Sequence, residues 1–199
     1  METRRLTDPG ALRALAHPVR LDLMELLATD GPLTATECAE RLGQTPANCS
    51  FHLRRLARHG FIEEAGTAAG RRRPWRVASH GHSWDVGTDV PTEQRAAGEA
   101  LARVVVDREF ARLHAWDHVR LTESQEWQDA AVLTQSGAFL TADELAEIGG
   151  QIADLFMRYA NRIDPVLRPS GSRLISGLAF FQPVVEDLGG RPEGGVGDA

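Results

Sequence analysis

The sequence predicts a mainly α protein with a small β component, built from two unlike parts. Its 199 residues are enough to bury a core, in one large domain or two small ones. Residues 1–80 hold 12 arginines and 9 acidic residues, whereas residues 81–199 hold 10 arginines and 19 acidic residues. Within residues 41–76 there are 8 arginines and 2 glutamates, so the basic charge is local although the net charge is −6.

The first three helices are predicted by their start and stop signals. Asp8-Pro9 opens the first helix, and His17-Pro18 ends it because the residue before a proline resists the helical region. Pro18 then opens the second helix, which ends at Asp30-Gly31-Pro32. The spacing of Thr34 and Glu37 is that of a capping box, and it predicts a third helix over Ala35–Leu42 that Gly43 closes.

A fourth helix is predicted from Pro46 to about His59. Thr45 can cap its first turn, Pro46 suits the first helical position, and Gly60 supplies a left-handed stop. Cys49, Leu53 and Leu56 share one face and predict the buried side.

A basic hairpin is predicted directly after this helix. Its strands are residues 61–67 and 71–79, joined by a turn at Ala68-Ala69-Gly70. Helix, short turn, helix and hairpin together form the pattern of a winged helix-turn-helix, which we assign to residues 1–80. The basic helix would enter the major groove of DNA, and the hairpin would lie on the flanking backbone.

The predicted DNA contacts lie in the first half of the fourth helix and at the tip of the hairpin. Asn can pair with adenine, Arg with guanine, and an apolar group can meet a thymine methyl, whereas wing arginines bind phosphate or enter the minor groove. We expect Arg55 and Arg58 to contact phosphate or form salt bridges, and Trp75 to pack the wing. The predicted DNA-binding residues are Thr45, Ala47, Asn48, Ser50, Phe51, Arg54, Arg55, Arg71, Arg72 and Arg73.

Two segments resemble the ArsR-like winged-helix repressors. Residues 15–21, LAHPVRL, are similar to the ALAHPxRL opening of that family, and residues 50–56, SFHLRRL, with residues 59–62, HGFI, are similar to its recognition segment. The resemblance covers roughly residues 8–80. It implies a dimeric regulator, which we expect to be a repressor, that binds an inverted repeat and whose DNA affinity an effector changes.

One departure from that family concerns metal binding. Metal-sensing members carry a Cys-x-Cys pair at the start of the third helix, whereas this chain has Cys38 alone there. A soft-metal site needs several thiolate or imidazole ligands, so we predict no metal site and no cofactor. We interpret Cys38 and Cys49 as small core residues. The pairs His80/His82 and His114/His118 leave open a metal-responsive regulator that uses histidine.

The second half of the chain is predicted to dimerise. Residues 81–92 are a linker, residues 93–188 an α+β dimerisation region that could also hold a small-molecule effector, and residues 189–199 a disordered tail. A long helix from about Thr92 carries a broad apolar stripe suited to a second subunit, although it could instead pack within the chain. The dimerisation residues predicted from this stripe are Leu101, Val105, Val106, Phe110 and Leu113.

Two strands and one helix are predicted beyond that long helix. Residues 127–135 and 173–181 show strand patterns, and a capping box at Thr141 and Glu144 opens an amphipathic helix. This half resembles the C-terminal region of long ArsR-like regulators less specifically. Its aromatic residues could line an apolar effector pocket or form the core, and we favour the core: Phe110, Trp116, Trp127, Phe156, Tyr159, Phe180 and Phe181.

Other classes of protein fit the sequence less well. It holds no nucleophile elbow, glycine-rich phosphate loop or H-E-x-x-H motif, so we expect no enzyme. It shows no apolar signal core and no long apolar run, so we expect a cytoplasmic protein without a membrane partner. One alternative is a winged-helix module that binds another protein and does not read DNA sequence.

Overall fold

The structure is a computed structural model. It describes residues 4–66, 73–78, 82–84, 87 and 89–184. The helices are α1 (Pro9–Leu15), α2 (Pro18–Asp30), α3 (Ala35–Leu42), α4 (Pro46–Arg58), α5 (Thr92–Val119), α6 (Gln125–Ala130) and α7 (Ala142–Met157). The strands are β1 (Arg4–Arg5), β2 (Ile62–Glu64), β3 (Trp75–Val77) and β4 (His82–Ser83). Short 3-10 turns follow at Arg120–Thr122, Ala160–Ile163 and Pro165–Leu167.

The strands form two small sheets. β2 and β3 pair antiparallel, with Ile62 opposite Val77 and Glu64 opposite Trp75, which is the base of the predicted hairpin. β1 pairs in parallel with β4, so the chain returns beside its own N-terminus within the segment predicted as a linker. The turn predicted at residues 68–70 lies outside the described residues. The class is therefore mainly α with a small β component, as predicted.

The predicted caps determine where α3 and α4 begin and end. The Thr34 hydroxyl accepts a hydrogen bond from the backbone N–H of Glu37, and the Glu37 carboxylate accepts from the N–H of Thr34. Gly43 ends α3 at φ 61°, a left-handed conformation that glycine adopts without steric cost. Thr45 then caps α4, so only Gly43, Gln44 and Thr45 separate the two helices.

The hydrophobic core belongs to the first half of the chain. Leu12, Leu23, Leu53, Leu56 and Phe61 are fully buried in it. The first half of α5 packs along α1 and adds Ala97 and Leu101 to the same core. The helix-turn-helix and the start of α5 are therefore one folded unit. Among the described residues beyond Leu101, no apolar side chain is buried.

A buried arginine connects α1, α2 and α4. Arg20, 6% exposed, donates from Nη2 to the carbonyl of Arg13 at 3.0 Å and from Nε to that of Ala14. These carbonyls end α1 and have no partner within the helix. The third guanidinium nitrogen, Nη1, lies 3.5 Å from Nδ1 of His52 on α4, and the ring of His17 lies 4.6 Å from that of His52. Burial, and then nearby Arg55, lower the pKa of Arg20 to about 10.

The two strands predicted in the second half are wrong. Residues 125–130 form α6 after Ser124, which lies at its N-cap position, and residues 131–140 continue without regular structure. Residues 173–184 also form no strand. Their side chains have strand propensity, but no strand of the described chain pairs with them in a ladder. No helix among the described residues is long and apolar enough to cross a membrane.

We expect the histidine pair to make folding stability depend on pH. Burial, and then nearby cationic groups, hold the pKa of His17 and of His52 below the ordinary 6.5. Below 6.5 the unfolded chain thus binds more protons than the folded one. The two histidines therefore contribute stability that is fully present above pH 6.5. This stability is lost as the pH falls through their lower pKa values in the folded protein. Urea unfolding between about pH 7.5 and 5 measures this loss.

The double variant His17→Gln/His52→Gln should flatten that pH dependence. The matched control is His114→Gln, because His114 is exposed on α5. A slope in the double variant equal to that of the unchanged protein would contradict the assignment.

Candidate nucleic-acid interface

Helix α4 has one buried face and one open face, as its spacing predicts. Cys49, His52, Leu53 and Leu56 point into the core. Thr45, Ala47, Phe51 and Arg54 are exposed, whereas Asn48 and Ser50 are partly exposed. All six are predicted DNA contacts, and they lie on the first three turns of the helix, which is the part that reaches base edges in helix-turn-helix proteins.

The N-terminal turn of α4 is ordered by two hydrogen bonds. The hydroxyl of Thr45 accepts from the backbone N–H of Asn48 at 3.2 Å. The side-chain amide of Asn48 donates to Oε1 of Gln44 at 2.8 Å, which aligns two amide groups at the tip of the helix. Thr45 therefore acts first as a cap. Gln44 is an exposed polar residue that the sequence analysis did not select, although its spacing of four from Asn48 could have indicated it.

Phe51 and Arg54 are the two largest exposed side chains among the predicted contacts on the open face. Phe51 is 56% exposed, and its ring meets that of His52 edge to face at 5.2 Å. Arg54 is anchored by its Nε, which donates to the carbonyl of Ser50 at 3.1 Å, and its side chain remains exposed. An exposed aromatic ring beside an anchored guanidinium offers a contact to a thymine methyl and a contact to guanine.

Arg55 has a different position from Arg54. It is only partly exposed, and its Nε is buried with no hydrogen-bond partner among the described residues. It lies close enough to His17, Arg20 and His52 to lower their pKa values. Arg55 therefore adds positive charge at the junction of α2 and α4, beside the open face.

Glutamates of the wing partly neutralise its positive charge. Arg73 donates to the carboxylate of Glu64 at 3.0 Å, and Arg76 pairs with Glu63 at 2.6 Å. Both arginines are exposed, so these pairs are weak in water and can exchange for phosphate. Arg71 and Arg72 lie outside the described residues.

Trp75 packs the wing against the core, as expected. It is partly buried, and its backbone exchanges hydrogen bonds of 2.8 and 3.0 Å with Leu33. This link fixes the hairpin beside the start of α3 and therefore fixes the distance between the wing and α4.

The residues predicted for dimerisation divide into two groups. Leu101 is 1% exposed within a single chain and packs in its core, and Val105 packs against the same core. Val106 is partly exposed, whereas Phe110 is 54% exposed and Leu113 is also open. The stripe thus serves intramolecular packing in the first half of α5 and faces outward in the second half.

The cysteines and histidines that the structure describes form no cluster that resembles a metal site. Cys38 and Cys49 are free and fully buried, and burial, followed by nearby Cys49, raises the pKa of Cys38 to about 11. His82 packs edge-on against Phe61 at 5.1 Å, and His80 lies outside the described residues. Across the described ranges, no group of three or more His, Cys, Asp and Glu residues could hold a metal ion.

The aromatic residues of the second half form no buried core in the described part of the chain. Phe110, Phe156, Tyr159, Phe180 and Phe181 are exposed, and Trp116 and Trp127 are partly exposed. The core that we favoured for them is therefore absent from one chain. A shallow cavity of about 400 Å³ lies instead between α2 and α5, where Asp22, Glu25, Arg108 and Arg112 line it and pair with one another.

Comparison with known proteins found a family model that matches part of the first half. A family model described as a helix-turn-helix domain matches residues 15–65, which run from the end of α1 to just past β2. No curated protein matches the chain. Reduced HlyU from Vibrio cholerae is 25% identical over 48% of this chain and 84% of its own, with a TM-score of 0.30.

A second similar solved structure is that of a protein from Mycobacterium bovis. The homodimeric winged helix-turn-helix domain of Mb0332, described as that of a possible ArsR-family transcriptional regulator, is 27% identical over 52% of this chain and 81% of its own, with a TM-score of 0.32. Residues 15–65 of this chain are thus similar to a helix-turn-helix domain, and β2 and β3 form a short hairpin directly after α4.

Proposed function

We propose that this protein is a sequence-specific DNA-binding transcriptional regulator that acts as a homodimer on an inverted-repeat operator, as a repressor. The observation that carries the proposal is the open face of α4, where Asn48, Phe51 and Arg54 stand together on a helix whose other face is buried. An amide, an aromatic ring and a guanidinium are the groups that distinguish base pairs in the major groove.

The surroundings of this face support the same function. Arg55 and Arg58 follow on α4, and the exposed Arg73 and Arg76 flank it on the wing, so phosphate-binding groups lie on two sides of the base-reading residues. Phosphate contacts position a protein on the duplex, and base contacts specify the sequence. The acidic second half of the chain would stay away from the polyanion.

A protein-binding winged helix is the second candidate. Its support is the pairing of Arg73 with Glu64 and of Arg76 with Glu63, which leaves the base of the wing nearly neutral. That pairing concerns the wing alone, because Arg54 and Arg58 have no carboxylate partner among the described residues. The DNA-binding regulator that we propose would work in the cytoplasm. Neither its sequence nor its fold indicates which effector it binds.

Selection from randomised duplex DNA by the purified full chain tests the proposal. We expect an inverted repeat whose half-sites are centred about one helical turn, roughly 34 Å, apart, because two α4 helices must enter the same side of the duplex. Arg103→Ala is the matched control, since Arg103 is an exposed arginine on α5 away from the open face, and it should select the same repeat. Recovery of no common sequence would contradict the proposal.

Substitutions should distinguish the residues that determine base preference from those that bind the DNA backbone. Arg54→Ala should relax base preference at one operator position and cost about 1–3 kcal/mol there. The triple variant Arg71→Ala/Arg72→Ala/Arg73→Ala should weaken binding to all sequences alike, because wing arginines contact the backbone. Affinities for the operator and for single-base variants of it measure both effects. A wing variant that loses specificity would contradict this division of roles.

A further inference from the structure

A second cavity lies between the helix-turn-helix and the second half of the chain. Its volume is about 280 Å³, and its walls come mainly from α2, from α5, from β3 of the wing and from residues 174–176. It shares Glu25, Arg108 and Arg112 with the cavity of about 400 Å³ between α2 and α5. Its lining therefore combines a charged group with side chains from both halves of the chain.

Most of the lining of the second cavity is apolar. Leu174 and Ile175 are 60% and 59% exposed, so a molecule that lies against them removes apolar area from water. This wall therefore favours a ligand with an apolar body. The apolar lining residues are Leu21, Met24, Ala28, Val77, Leu174 and Ile175.

Polar contacts hold residues 168–176 beside the second cavity. Arg168 donates to two carbonyls near the end of α2, at 2.6 and 2.8 Å. The hydroxyl of Ser176 donates to the carboxylate of Glu109 and accepts from Arg112, both on α5. The wall that this segment forms is therefore in place before a ligand binds, which lowers the entropic cost of binding.

The charged residues of the second cavity favour an anion. Arg108 and Arg112 both line it, whereas Glu25 is the one acidic residue among the described residues that line it. Asp22 and Glu109, the other carboxylates that pair with these arginines, are not among its lining residues. A cavity lined by two arginines and one glutamate attracts negative charge.

Arg108 has hydrogen-bond donors that its own partners do not use. Its side chain is 18% exposed, and Nη2 alone contacts Asp22 and Glu25, each at 2.9 Å. Within the described residues, no hydrogen bond or ion pair reaches its Nη1 or Nε. A guanidinium presents five N–H donors in a planar fork that matches a carboxylate bidentately. The unused donors of Arg108 can therefore bind the carboxylate of a ligand.

We infer that the second cavity binds a small apolar carboxylate, with the carboxylate on Arg108 and the apolar body against Met24, Val77 and Ile175. An apolar cavity of roughly 150 Å³ holds a benzene molecule, so about 280 Å³ admits two fused rings or an alkyl chain of similar volume. Inorganic phosphate has the charge but no apolar body to fill this space.

The position of the second cavity would let its ligand act on DNA binding. Val77 lies on β3 at the base of the wing, and Leu21 and Met24 lie on α2, which packs against α4. A ligand among these residues would contact the wing and the helix-turn-helix at once. This effector role rests on the proposed function, whereas the binding of a carboxylate does not.

Isothermal titration calorimetry of the full chain without DNA tests the binding. 2-Naphthoate and octanoate should each bind with a Kd below about 1 mM. 2-Naphthamide has the same rings without the charge. It should bind at least about 10-fold more weakly than 2-naphthoate, because a neutral acceptor forms weaker hydrogen bonds with a guanidinium.

Two variants test the two ends of the site, and circular dichroism verifies that each one folds. Arg108→Gln should weaken the binding of 2-naphthoate by at least about 10-fold, because it removes the cation and its fork. Ala28→Phe should weaken it by a similar factor without any change of charge, because the ring occupies the cavity.

Each variant has a matched control. Arg103→Gln removes an exposed arginine of α5, and Ala111→Phe adds a ring at a residue that lines the cavity of about 400 Å³ and not the second one. Both control variants should bind 2-naphthoate as the unchanged chain does.

Three results would each overturn the inference. They are no binding of either carboxylate up to about 5 mM, equal binding of 2-naphthamide and 2-naphthoate, and unchanged binding by the folded Arg108→Gln or Ala28→Phe variant. Binding of 2-naphthoate by a chain that selects no DNA sequence would overturn the proposed function and leave this inference in place. Selection of DNA by a chain that binds neither carboxylate would do the reverse.

Discussion

The orientation of α4 depends on one set of polar contacts, those that the guanidinium of Arg20 makes with the end of α1 and with His52. The guanidinium satisfies two carbonyls at the end of α1, where the helix dipole favours a positive charge, and its third nitrogen faces His52 on α4. A buried cation is costly unless its donors are used, so these contacts favour the position that the guanidinium has. Leu53 and Leu56 pack beside it, and together they decide which face of α4 remains open.

The two halves of the molecule differ in how far a single chain buries their apolar side chains. In the first half, one chain forms a buried core, and the caps at Thr34 and Thr45 begin α3 and α4. In the second half, polar contacts through Arg168 and Ser176 hold the chain in place, while none of the described apolar side chains beyond Leu101 is buried. α5 joins the halves, because Leu101 lies in the core and Phe110, less than three turns later, faces outward.

Local signals made the first half predictable from sequence. The caps at Thr34 and Thr45, the proline at position 46 and the glycines at 43 and 60 act within a few residues, and each has the predicted role. The buried link between Arg20 and His52 spans 32 residues and has no local signature, so it was missed. Residues 127–135 and 173–181 were predicted wrongly because strand propensity forms a strand only beside a second strand. The apolar periodicity of α5 includes both Leu101 and Phe110, so it could not show that Leu101 is buried and Phe110 is exposed.

The central claim is that the open face of α4 and the wing bind the DNA backbone and read its bases. The most direct test is the affinity of the full chain for its selected duplex, measured over a series of salt concentrations. Each phosphate contact should contribute about −0.9 to the slope of log K against log salt, so several arginines on two subunits predict a steep linear decrease. An affinity that does not change with salt would contradict the claim and favour a winged helix that binds another protein.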